Sequence, residues 1–172
     1  MVVTTAVENN EPIFILPSDY RRLEQAIDEY DQQYRRTLAG TAETTDISSE
    51  TWHDNPAFDE VQQQAKMSLS QLRKFQAIKN SAVVVNVLPE EGRVAVGSRV
   101  MVSWNQNEND LDTLVLTGYI VPGSPEEEIS TTSPLGSLLL NTQTGDTIKG
   151  NLNGRSIEIT IHAVEPASEY FE

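Results

Sequence analysis

Between Gly40 and Glu60 the chain carries Glu43, Asp46, Glu50, Asp54, Asp59 and Glu60, and no Lys or Arg. Basic side chains flank this stretch, Arg35 and Arg36 before it and Lys66, Arg73 and Lys74 after it. Carboxylate oxygens are hard ligands, and one or two of them suit a Mg²⁺ whose other ligands come from elsewhere. A metal so placed activates water for phosphodiester hydrolysis. Acids are also common in loops and first helical turns, where they are merely solvated or favour the helix dipole. What singles these out is their shared sign and their position between two basic stretches.

Other chemistry is thinner. The absence of cysteine excludes disulfides, thiolate metal sites and a cysteine nucleophile. His53 and His162 lack the spacing of a metal pair, and Ser133 has no His and acid partners that would make it a nucleophile. Gly92 to Gly97 lacks the Lys-Ser/Thr ending of a phosphate loop. Trp52, among polar neighbours, is either folded back onto its own element or a contact anchor.

The elements that would hold the acids are legible from periodicity. Residues 1–16 show none and read as a flexible leader. Pro17-Ser18-Asp19 is a helix start, with Ser18 or Asp19 as the cap. Tyr20, Leu23, Ile27, Tyr30, Tyr34 and Leu38 then form one apolar stripe, ended by Ala39-Gly40. The acidic stretch has no apolar repeat and reads as a loop as far as Asp54. Asn55-Pro56 restarts a helix, and Phe58, Val61, Ala65, Leu69, Leu72 and Phe75 make a second stripe. Two amphipathic helices joined by a loop bury their stripes against each other, which predicts an antiparallel coiled-coil hairpin over 17–80 with the acids at its tip.

From Ala82 the period changes to two, with strands expected at Val83–Val87, Arg99–Trp104, Thr113–Ile120, Ile148–Leu152 and Ser156–Ile161. Asn153-Gly154 marks a hairpin turn, and Glu126-Glu127-Glu128 reads as a solvated loop edge. A second domain over 81–172 follows, and the fold class is α+β.

Net charge bounds the partners. At −14 and a pI near 4.4, the chain is a poor direct ligand for a nucleic-acid backbone, and a protein with a basic surface suits it better. Residues 1–80 hold 13 acids against 8 Lys/Arg, whereas residues 81–172 hold 13 against 4, so most of the basic groups lie in the helical half. No signal-peptide pattern and no apolar run of about 20 residues is present, and a soluble, cytoplasmic monomer without a membrane partner is expected.

The run Ile129-Ser130-Thr131-Thr132-Ser133-Pro134-Leu135-Gly136, continuing through Leu139-Leu140 to Gly145-Asp146, resembles the C-terminal domain of the bacterial Gre transcript-cleavage factors. Val96-Gly97-Ser98 before it and Asn153-Gly154 with Ile157, Ile159 and Ile161 after it fit the same pattern. The resemblance, covering about Ser18 to Val164, implies a domain folded like FK506-binding proteins, antiparallel with a short helix. It implies RNA polymerase as partner, with Ser133, Pro134 and Leu135 docking at the rim of the secondary channel and Arg35, Arg36, Lys66, Arg73 and Lys74 along the shaft. The family tip motif, Asp-x-x-Glu-Asn-Ala-Glu-Tyr, places two acids on a Mg²⁺ shared with the polymerase. Thr51-Trp52-His53-Asp54-Asn55-Pro56-Ala57-Phe58 matches it with Asp54 at the second acid and Thr51 at the first. Glu50, one residue earlier, is the candidate to stand in for the missing first acid. Gln62-Gln63-Gln64 stands where the family has Arg-Glu-Gln, and Asn141-Thr142 where it has Gly-Lys.

Implied, then, is a regulator that is not itself an enzyme, holds no cofactor stably, and supports cleavage weakly or not at all. Two other readings stay open: a cleavage factor using Asp54 and Glu50, and a coiled-coil adaptor for a different protein. A prolyl isomerase would need an aromatic pocket drawn from Trp104, Tyr119, Tyr170 and Phe171, which are scattered in sequence.

Overall fold

The computed structural model describes residues 12–44, 56–107 and 110–172, the side chains of 41–44 and 56–58 excepted. Two long helices, α1 (Pro17–Thr44) and α2 (Pro56–Ser81), form the helical part. Each opens on a proline, whose missing N–H costs nothing in a first turn. Leu16, not Ser18 or Asp19, stands at the cap of α1, since the Tyr20 amide donates to the Leu16 carbonyl at 2.9 Å. The helix also continues through Ala39-Gly40 to Thr44. One glycine costs a helix about 1 kcal/mol, too little to end 28 residues of continuous pattern.

Packing is densest at the base of the hairpin. Leu23 and Ala26 of α1 are buried with Phe75 and Ile78 of α2. On α2 the buried positions are Ala65, Ser68, Leu72, Phe75 and Ile78, while Val61 and Leu69 are only half-buried. Further out, Tyr34 is half-buried and Leu38 is 45% exposed. Two helices without a third neighbour leave much of each stripe in water.

Residues 13–16, read from the sequence as part of a flexible leader, are structured, and residues 1–11 of that stretch lie outside the described residues. Strand β1 (Ile13–Ile15) pairs in parallel with β2 (Ala82–Val84), in the register Phe14↔Val83. Ile15 and Leu16 are wholly buried. Gly118 permits this arrangement: a Cβ there would come within 1.7 Å of the Phe14 carbonyl oxygen. The strand expected at Val83–Val87 is therefore short, and its partner is β1 rather than the main sheet.

That sheet is curled and five-stranded, in the order β5 (Glu128–Ser130), β4 (Leu111–Thr117), β3 (Ser98–Trp104), β7 (Arg155–Pro166), β6 (Thr147–Leu152). Its pairs are antiparallel except β4–β5, which is parallel, so the sheet is mixed and not purely antiparallel. Asn153 and Gly154 turn β6 into β7 with φ of 52° and 80°, as a two-residue hairpin requires. A bulge in β7 falls at His162, where the partners of β3 step from Ala163 to Ile161. One face of the sheet buries Val100, Val102, Leu114, Leu116, Ile159, Ile161 and Val164. The short helix α3 (Pro134–Leu139) closes that core with Leu139. A 3₁₀ turn, Ser168–Tyr170, brings the C-terminus back against α1.

Candidate functional site

The tip residues Glu50, Thr51, Trp52, His53 and Asp54 lie outside the described residues; the shaft that carries them does not. Arg35 Nε is ion-paired with Asp31 Oδ2 at 2.7 Å, and Arg36 Nη2 donates to Gln32 Oε1 at 3.3 Å, both along α1. Lys66, Arg73 and Lys74 are exposed on α2. From Val61 to Ser81 this helix has four Lys/Arg and no Asp or Glu, with Gln62, Gln63, Gln64, Gln71 and Gln76 also exposed. Thus α2 presents a basic, amide-rich flank on a chain of net charge −14. By contrast α1 carries Glu24, Asp28, Glu29 and Asp31 toward the base.

The Ser-Pro segment is built mainly to hold its own helix. Ser133 caps α3: its Oγ accepts from the Gly136 amide at 3.0 Å and donates to the Ser130 carbonyl at 2.7 Å. Gly136 is obligatory there, because a Cβ would stand 2.0 Å from that same carbonyl oxygen. Leu135 packs against the core. Pro134 is exposed. Of the three residues to which the resemblance assigns docking, then, Pro134 offers its side chain outward while the other two are largely committed to the fold.

Glu128 is the largest departure from the sequence reading. It is not on a solvated edge but in β5, with its side chain fully buried. Its Oε1 accepts from Arg22 Nη1 of α1 at 2.6 Å, and Ser124 Oγ lies 3.2 Å from the same nitrogen. Asp19, wholly buried one helical turn before Arg22, has Oδ1 3.2 Å from Arg22 Nη2, though without hydrogen-bond geometry. The Tyr170 ring lies 5.6 Å from the guanidinium. Two buried carboxylates thus share one cation. Burial pushes the Asp19 carboxyl from 3.8 up to about 7, Glu128 adds to the rise, and Arg22 opposes it. The Tyr170 phenol is pushed up to about 12 by burial and then by Glu128. A helical pair Asp19/Arg22 at i, i+3 was visible in the sequence; its partner across the joint was hidden within an acidic run.

Remaining candidates disperse. His162 Nε2 lies 2.8 Å from Ser103 Oγ on the neighbouring strand. Trp104, Tyr119 and Tyr170 belong to three different apolar clusters, so no aromatic pocket forms from them. Among the described residues, no group of three His, Cys, Asp or Glu side chains could hold a metal ion, and no helix is long and apolar enough to cross a membrane.

Residues 89–166 match the family model described as transcription elongation factor, GreA/GreB, C-terminal. The transcription elongation factor GreA of Rhodococcus erythropolis is 30% identical over 116 residues, which span 66% of this chain and 71% of that protein. GreA of Mycobacterium leprae is 25% identical over the same length, 66% of this chain and 71% of that protein. Among solved structures, the GreA factor homolog 1 (Gfh1) protein of Thermus thermophilus overlaps with a TM-score of 0.42 at 16% identity, over 90% of this chain and 99% of that one. The match to the Rhodococcus protein crosses from the hairpin into the β domain, which the family model covers. The chain belongs to the GreA/GreB family of transcription elongation factors.

Proposed function

We propose that the chain binds bacterial RNA polymerase at its secondary channel, inserts the helical hairpin, and regulates elongation with weak or no stimulation of transcript cleavage. Family membership supports the partner, and the basic flank of α2 suits a hairpin that slides beside an anionic wall.

The observation that carries the finer reading is the donor set at the tip. A Mg²⁺ held between two proteins is held chiefly by charge. At the motif positions this chain supplies one carboxylate, Asp54, and a neutral hydroxyl, Thr51. That set does not fit a site needing two acids, and no catalytic step is assigned to the tip. Occupying the channel needs only the shaft and the docking contacts, for which the exposed Pro134 and the basic flank of α2 are the candidates here.

Transcript cleavage by a stalled elongation complex, with and without the protein, is the test. Binding without accelerated cleavage is expected, and Thr51→Asp should restore some acceleration. Strong acceleration by the unaltered protein would instead establish the cleavage-factor reading, with Glu50 and Asp54 as ligands. Absence of any polymerase binding would favour the coiled-coil adaptor.

A further inference from the structure

We propose that Arg22 is a positioning residue that sets the bearing of the helical hairpin on the β domain. The inference rests on the reading above, in which the hairpin must be aimed into a channel, but its test needs no polymerase.

Two apolar clusters join the parts. Val121 and Tyr119 pack on the cluster of Leu23, Ala26, Phe75 and Ile78, and Leu16 packs with Val115, Ala167 and Tyr170. Contacts of this kind hold the parts together but are non-directional and specify no donor geometry. A guanidinium is different, because its donors are fixed in a plane. Arg22 engages Asp19 on its own helix, Ser124 and Glu128 on the far side of the joint, and the ring of Tyr170 from the C-terminal turn. A small rotation of α1 about its axis would break the 2.6 Å contact and leave the buried Glu128 carboxylate without its cation. A buried charge stripped of its partner is costly, so the joint has one low-energy setting. Arg21, whose guanidinium meets the Glu172 carbonyl, ties the same turn to the C-terminus.

The lever arm shows why this matters. From Arg22 to Thr44 the helix spans about 33 Å, so about 10° of slack at the joint moves its far end by about 6 Å. A hairpin inserted into a channel has to be aimed before it enters. Precision at the far end therefore has to be made at the base.

The chain has no cysteine, so Gln63→Cys and Asn151→Cys can carry a pair of spin labels on the shaft and on β6, both at exposed positions. The distance distribution between them is narrow if the bearing is fixed. Replacing the polar group by apolar residues (Asp19→Leu, Arg22→Met, Glu128→Leu) should leave the circular dichroism of the folded chain in place and broaden the distribution about twofold, the default for loosely joined parts. A folded variant with the parent width overturns the proposal. Should the triple variant fail to fold, Arg22→Lys retains the charge and loses the fork; broadening is expected there too, and an unchanged width overturns the proposal equally. Arg36→Met, on the shaft away from the joint, should keep the parent width, and broadening there would mean that Arg22 has no special role. Failure of the parent protein to bind polymerase would remove the functional reading and leave the distance result standing.

Discussion

The rings of Tyr30 and Phe75 meet with centroids 5.5 Å apart and planes inclined at 44°, an aromatic contact that joins α1 to α2. Both rings belong to the cluster at the hairpin base, where Phe75 is 5% exposed. Among the described residues, no second ring pair joins the helices farther along the shaft.

Phe75→Ala should therefore cost about 3–5 kcal/mol, the range for emptying a buried aromatic site. The loss should fall on the helices, because the core of the five-stranded sheet is drawn from residues 94–164. In a Trp52→Phe background, urea unfolding followed by circular dichroism at a helical wavelength, and separately by Trp104 fluorescence, should show the helical transition move to lower urea than the β transition.

A second expectation concerns pH. Asp19 has a folded pKa of about 7 against 3.8 unfolded, burial being the main cause. The folded state thus holds this proton more tightly than the unfolded one. Its stabilising contribution is complete below about pH 3.8 and is lost as pH rises through about 7. Asp19→Asn keeps the group neutral throughout. The variant's stability should be flatter than that of the parent between about pH 4 and 7, the interval between the two pKa values. Parallel curves from thermal melts across that range would show that Asp19 titrates like an ordinary carboxyl.

How far the sequence discloses this molecule depends on length and sign. Strands β3 and β7 alternate over enough residues to be read directly, and Asn153-Gly154 announces its turn. β1 escapes because three residues, Ile-Phe-Ile, contain no period to detect. β5 escapes because Glu128 points an acid inward, against the rule that acids face water, and the partner that permits it is Arg22, 106 residues away. Ser133 illustrates another gap: a Ser-Pro pair marks a helix cap and a surface loop equally well, and the two Oγ hydrogen bonds decide for the cap. For the tip, Asp54, Glu50 and Trp52 are legible as residue types and lie outside the described residues.

Separability is a third expectation. The sheet's own core lies within residues 94–164, so a fragment beginning at Pro89 should fold as a β-rich unit. It loses Leu16 from beside Val115 and Tyr170, and Leu23 and Phe75 from beside Val121. Its melting temperature should fall below that of the whole chain while the β signal persists. A disordered fragment would mean that the helices are required for the sheet.

Docking supplies a fourth. Pro134 stands exposed at the first position of α3, where an acid is tolerated by the helix dipole. Pro134→Glu should preserve the fold and weaken polymerase binding by about 2 kcal/mol, the cost of an unpaired polar group at an apolar contact. In a titration that is about thirtyfold in Kd. Unaltered affinity in the folded variant would move the contact away from α3.

The parallel pairing of β1 with β2 has a consequence for variation. The strands immediately before and after the hairpin are hydrogen-bonded to each other, so the helical excursion enters and leaves the fold at a single stem. Chain closure is settled at that stem, and the rest of the molecule receives no information about how far the excursion extends. Residues added in matched numbers to α1 and α2 would lengthen the reach by about 1.5 Å per pair while leaving β1, β2 and the sheet undisturbed. The hairpin is in this sense a cassette: its length and end chemistry are free to vary, and only its root is fixed.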